Sequence, residues 1–145
     1  MPPKLAEIVR EFADAPRDVV LEMLLEYVDA VPPLPPGVSP EGMERVVECQ
    51  TPFFLRAQVG SGTGKATPDE KVTIWFDCPP ESPTTRAFAG ILADGLADAT
   101  AAEVLAIPDD LYEQMGLAQA ISPLRVRGGH AIVARLKRQV REQIA

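Results

Sequence analysis

Val46-Val47-Glu48-Cys49-Gln50-Thr51-Pro52-Phe53-Phe54-Leu55 reads as a short extended piece, a bend and the start of a longer strand. The bend holds one thiol, with polar Glu48, Gln50 and Thr51 around it. Upstream, Glu44 to Glu48 is short and β-compatible. Downstream, Phe53, Leu55, Ala57 and Val59 alternate with Phe54, Arg56 and Gln58, the period of two that marks a half-buried strand. Gly60-Ser61-Gly62-Thr63-Gly64 is a turn. Val72, Ile74, Phe76 and Cys78 then line one face of a third strand, with Lys71, Thr73, Trp75 and Asp77 on the other. Consecutive strands with short connections predict an antiparallel meander.

Helical periodicity surrounds this region. Leu5, Ile8, Val9 and Phe12 form one stripe of an amphipathic helix. Val20, Met23, Leu24, Tyr27 and Val28 form the next, which must stop near Val31 because Pro32, Pro33, Pro35 and Pro36 follow. Those prolines fix φ and remove donors, so the segment to Pro40 is a stiff, extended strap. Ser82 and Pro83 have the order of an N-cap and a first helical residue. Phe88, Ile91, Leu92, Gly95, Leu96 and Ala99 continue as a stripe. Thr100 and Glu103 have capping-box spacing, so a short helix starts there. Asp109 to Met115 makes another, closed by Gly116 as a C′ residue. Ser122-Pro123 opens the last helix, with Ile132, Val133, Leu136 and Val140 as its buried face. The expected fold is α+β: a three-stranded antiparallel sheet packed against helices, in one domain over residues 1–145.

The 145 residues carry a net charge of −7, which argues against a nucleic-acid binder. Arg135, Lys137, Arg138 and Arg141 gather near the C-terminus and read as the solvated face of the last helix, suited to its dipole. Met1-Pro2-Pro3-Lys4-Leu5 lacks the apolar core of a signal peptide. No apolar run approaches the ~20 residues of a membrane span. A cytoplasmic protein is expected, and in that setting its two cysteines read as thiols. No Cys/His grouping has zinc-site spacing, so no metal or resident cofactor is expected.

Gly60 to Lys65 imitates a phosphate loop, but Val59 stands where the first glycine is needed, Ala66 follows the lysine, and a strand comes next. His130, the one histidine, could form a hydrolase dyad with Cys49; beside Gly128 and Gly129 it reads better as a surface or packing residue. Cys78 shares its strand face with Val72, Ile74 and Phe76 and reads as a small buried hydrophobe. Cys49 differs, because a polar bend is where a reactive thiolate can be exposed to a partner.

Taken together, the chain resembles the SufE family of sulfur-acceptor proteins. The resemblance rests on Val47-Glu48-Cys49-Gln50-Thr51 and on Ile121-Ser122-Pro123-Leu124-Arg125-Val126-Arg127-Gly128. It extends to the opening helices, the Leu34-Pro35 connector, the Phe88-Ala89-Gly90-Ile91-Leu92 helix and Met115-Gly116-Leu117. It implies a fold similar to the IscU-type scaffold. It also implies a sulfur acceptor and activator of a pyridoxal-phosphate cysteine desulfurase of the SufS-like kind, delivering sulfur to an iron–sulfur scaffold protein, with no independent turnover. By position Cys49 is the persulfide acceptor. Arg125 matches the motif arginine, whose guanidinium could favour a thiolate or persulfide anion. Either a monomer or a homodimer is compatible. The chain departs from the family pattern at Glu48, commonly glycine, and at Arg127, where asparagine is expected. Glu48 opposes thiolate formation and Arg127 should add positive charge. An iron–sulfur scaffold is the alternative reading, disfavoured because a cluster usually needs several thiolates. Because a persulfide is easily reduced or over-oxidised, Cys49 should be sheltered in the free protein and its loop should move on docking.

Overall fold

In the computed structural model, which describes residues 1–144, β1 (Glu44–Arg45), β2 (Phe54–Val59) and β3 (Val72–Asp77) form the antiparallel meander, in the order β1-β2-β3. Leu55 pairs with Phe76, Ala57 with Ile74 and Glu44 with Leu55. The alternation in β2 does what it predicts: Leu55, Ala57 and Val59 are buried. On the other face Arg56 lies over its cross-strand partner Trp75, 5.4 Å from the ring centroid, a cation–π contact that covers the outer surface of the sheet. β1 is shorter than the Glu44–Glu48 expectation. Val47–Cys49 coils into a single 3₁₀ turn instead, so the cysteine closes a turn and does not directly follow a strand.

Among the described residues, six helices complete the fold: α1 (Pro3–Asp14), α2 (Val20–Leu25), α3 (Pro83–Gly95), α4 (Ala101–Leu105), α5 (Leu111–Gln114) and α6 (Pro123–Ile144). The α1 stripe Leu5, Ile8, Val9 and Phe12 is buried as its spacing requires. α2 tightens into a 3₁₀ segment, Glu26–Ala30, before the prolines. Pro32 disfavours helical backbone at the residue before it, and Val31 is extended. α3 is the central helix. It buries residues on nearly every side, including Ala87, Phe88, Ala89, Ile91 and Leu92, as an all-round apolar helix must.

The capping box at Thr100–Glu103 is complete in both directions. Gly116 takes the left-handed φ of 78° directly after α5. Ser122 Oγ accepts from the Arg125 N–H at 3.3 Å and caps α6. Ser82 stands at the α3 N-cap position, but its side chain makes no capping bond; its carbonyl accepts from Thr85 Oγ1 instead.

α6 lies against the sheet and does something its periodicity does not announce. β1 is so short that Ala57 and Val59 on β2 have no strand partner on that side. Gln139 and Gln143, one helical turn apart, supply the missing bonds. Ala57 N–H donates to Gln139 Oε1 at 2.7 Å, Val59 N–H to Gln143 Oε1 at 2.9 Å, and Gln143 Nε2 donates to Ala57 O at 2.8 Å. Buried backbone groups need partners, and two amide side chains serve as a surrogate strand.

Candidate functional site

The cysteine turn closes on itself through backbone bonds. Val46 N–H donates to Phe53 O at 2.8 Å across its base. Cys49 N–H donates to Val46 O and Gln50 N–H to Val47 O, both at 3.2 Å. Gln50 then adopts a left-handed φ of 60°, which reverses the chain toward Pro52. Val47 points outward, 62% exposed, while Cys49 points inward and is only 9% exposed. The expected sheltering of Cys49 is therefore present in the free chain. Its Sγ donates to Gly128 O on α6 at 3.8 Å.

Cys49 is buried but not packed solid. It borders a cavity of about 280 Å³ that Thr51, Ser82, Thr85, Ser122 and Arg125 also line. The first turns of α3 and α6 both meet there, and helix N-termini carry unpaired N–H groups and partial positive charge. Arg125 adds a full charge, set in place by donating from Nη1 to the buried Thr84 Oγ1 at 2.7 Å. Thr51 Oγ1 is buried with no hydrogen-bond partner among the described residues. Among the same residues, Glu81 is the one acid on the wall. On balance the cavity suits a small anionic group attached to Cys49.

In this position the surroundings of Cys49 work against the thiolate. Burial pushes the Cys49 thiol from an ordinary 9.0 up to about 12, with Glu48 and Cys78 adding to the rise and Arg135 opposing it. Arg125 is on the same cavity wall, yet its observed bond is to Thr84 and it does not offset that rise. The motif arginine and the cysteine are brought together; the direct Arg125–thiolate contact is not made here.

The other sequence candidates lie elsewhere. His130 Nε2 is 3.3 Å from Glu113 Oε1. It sits two residues beyond Gly128, on a different face of α6, so the Cys49–His130 dyad does not form. Arg127 shares a surface depression with His130 and Glu113, not with Cys49. The positive charge it was expected to bring to the thiol goes to another face. Cys78 is buried and, like Cys49, a free thiol. Burial pushes it up to about 11 against the pull of Arg86, whose Nη1 donates to the Cys78 carbonyl at 2.6 Å. Among the described residues no three His, Cys, Asp or Glu side chains gather as a metal site. No helix among them is long and apolar enough to cross a membrane.

Sequence reasoning missed Arg135. The basic residues of α6 are not simply a solvated face. Arg135 Nη2 donates to Glu48 Oε1 and Nη1 to Glu44 Oε2, both at 2.7 Å. Arg138 also pairs with Glu44, and Gln139 Nε2 donates to Glu44 Oε1 at 3.0 Å. Lys137 is 13% exposed and donates to Ile107 O and Asp109 Oδ1. The hydrogen bond from Arg135 holds the Glu48 carboxyl below its ordinary range. A signal was available: Arg135, Arg138 and Gln139 share one side of α6 at spacings of three and four. Sequence could not say which acids they would meet.

Comparison with known proteins agrees across nearly the whole chain. Residues 6–140 match the SufE family, described as an Fe-S metabolism associated domain. An uncharacterized SufE-like protein of Mycobacterium tuberculosis, found in two strains, is 44% identical over 142 residues, covering 98% of this chain and 94% of the relative. SufE-like protein 1 of Arabidopsis thaliana, chloroplastic/mitochondrial, is 28% identical over 129 residues, which is 32% of its own length. The solution structure of a hypothetical protein from Thermus thermophilus superposes with a TM-score of 0.82 at 42% identity, covering 99% of this chain and 98% of that one.

Proposed function

Because the chain belongs to the SufE family of Fe-S metabolism, we propose that it accepts sulfur from a cysteine desulfurase as a persulfide on Cys49 and passes it toward iron–sulfur cluster assembly. Residues 1–145 act as one domain in this reading. The observation that carries it is the placement of Cys49 Sγ at the edge of a cavity ringed by two helix N-termini and Arg125.

The transfer requires a thiolate. Cys49 sulfur attacks the outer sulfur of the desulfurase persulfide. The partner's S–S bond breaks, its cysteine leaves as a thiolate, and Cys49–S–SH forms. The Cys49 proton goes to solvent or to the leaving thiolate. Clearing the persulfide returns the desulfurase to its starting state, which accounts for stimulation. Cys49 is buried and its thiol is pushed up to about 12, so in this reading the turn swings Cys49 outward before it attacks. The loaded persulfide, a stronger acid than the thiol, is then sheltered in the cavity as an anion, with Arg125, Thr51 and the helix N-termini as its neighbours.

The test is incubation with a SufS-like desulfurase and cysteine, followed by intact-mass analysis. The expected product carries the mass of one added sulfur atom, located on Cys49 and absent from Cys49→Ser. Added sulfur on Cys78 alone, or full desulfurase stimulation by Cys49→Ser, would overturn the carrier role.

A further inference from the structure

We propose that Arg135 is a positioning residue that holds Cys49 turned inward by gripping the carboxylate of Glu48, so that breaking this ion pair frees the cysteine turn. The inference rests on Cys49 being the working thiol, and it concerns what keeps that thiol hidden.

Few polar contacts hold the turn. Its internal bonds are the two at 3.2 Å, and Val47 at its tip is exposed. On the inward side Cys49 packs in the apolar core and against Gly128, with one weak polar contact, Cys49 Sγ to Gly128 O at 3.8 Å. The outward side is held by Glu48 Oε1 on Arg135 Nη2 at 2.7 Å. Gly128 and Arg135 are seven residues apart, two turns along one side of α6. The same helix therefore holds the turn at Cys49 and at its neighbour Glu48.

Release is made easy by how the charges are shared. Arg135 also holds Glu44, so the guanidinium keeps a partner when Glu48 leaves. The Glu48 side chain is 38% exposed and exchanges Arg135 for water, whereas Glu44 is tied to Arg135, Arg138 and Gln139. Glu48 is thus the detachable end of a network anchored on β1. A docking surface that pairs with either charge would let the turn go.

The test uses the free protein and two measurements: the rate of iodoacetamide alkylation at Cys49, with Cys78 as internal reference, and amide hydrogen exchange at Cys49 and Gln50. Arg135→Gln is the deciding variant. Loss of its positive charge alone would make the thiol harder to ionise and slow alkylation. Loss of the grip speeds it, by about two- to fivefold, the range a partly exposed ion pair can supply. Amide exchange at Cys49 and Gln50 should quicken to match. Raising salt should speed wild-type alkylation but not that of Arg135→Gln. Arg138→Gln, which leaves the Glu48–Arg135 pair intact, should alkylate at the wild-type rate.

Slower or unchanged Cys49 alkylation in a folded Arg135→Gln protein would overturn the inference. If that variant loosens throughout, with Cys78 rising in parallel, Glu48→Gln decides, because it keeps the Arg135–Glu44 pair. Faster exchange at Cys49 and Gln50, with β2 and β3 amides unchanged, supports the grip, and unchanged exchange sinks it. Neither measurement involves sulfur transfer, so a protein that alkylates as expected but takes up no sulfur refutes the carrier role and leaves the positioning role standing.

Discussion

In the proposed role, Glu48 acts against the chemistry beside it and still serves it. Its charge helps keep Cys49 protonated, which in the proposed carrier role is unhelpful for the nucleophile but protective until a partner docks. Its bond to Arg135 ties the turn to α6. Among the glycines, Gly90 has the closest backbone neighbour. A Cβ added at Gly90, in the middle of α3, would come within 1.9 Å of the Tyr27 carbonyl oxygen. Helix propensity alone would make Gly90→Ala stabilising by about 0.5–1 kcal/mol. The clash is with backbone, which cannot rotate away, and overpacking of this kind costs about 1–3 kcal/mol. Gly90→Ala is expected to lower stability in urea denaturation, against its propensity. The Tyr112 hydroxyl, donating to Phe88 O at 3.0 Å, secures the same helix from the α5 side.

At the scale of elements, α6 is the part on which the site depends. It begins at the cavity with Ser122 and Arg125, passes Cys49 at Gly128, reaches Glu48 with Arg135 and ends by completing β2 with Gln139 and Gln143. Removing one of these amides should leave backbone groups of β2 unpaired. Gln143→Ala strands the Val59 N–H and the Ala57 carbonyl, and a cost of about 1–3 kcal/mol is expected. Urea unfolding would measure it, and fast exchange at the Val59 amide would localise it. Period-two and period-3.6 patterns made the helices and strands readable from residues alone, down to the capping box at Thr100 and the Gly116 terminator. They were blind to these glutamines, because a polar residue on a helix is usually a solvated one.

For the whole molecule, the two thiols share one dependence on pH. Burial raises Cys49 to about 12 and Cys78 to about 11 from an ordinary 9.0, and buried Tyr112 is raised in the same direction. A group whose folded pKa is raised stabilises the fold fully below its unfolded value and ceases to do so as pH climbs through the folded one. Stability under reducing conditions should therefore decline from about pH 9 toward pH 12. Cys49→Ala should show a shallower decline than the parent when urea midpoints are followed over that range, because one of the groups resisting ionisation is gone. On the acid side the sign reverses. Hydrogen bonding from Arg135 lowers Glu48. Burial would raise Glu44, but its bonds to Arg135, Gln139 and Arg138 outweigh that, so the stabilisation both acids provide is lost as pH falls through their depressed values.

Local patterns were enough for the α+β class, the three-stranded meander and the order of the helices, and they marked the Cys49 thiol as a candidate only. Each follows from spacing along the chain or from a residue's own preferences, and the joint presence of the Cys49 block and the Ser122–Gly128 block was specific enough to indicate the family. What the folded chain alone decided is the state of that thiol. Its burial, its raised pKa, the cavity beside it and the Glu48–Arg135 grip all come from residues 79 and 87 positions away. Charge and burial act through space, and no local pattern reports which distant side chain will complete a pair.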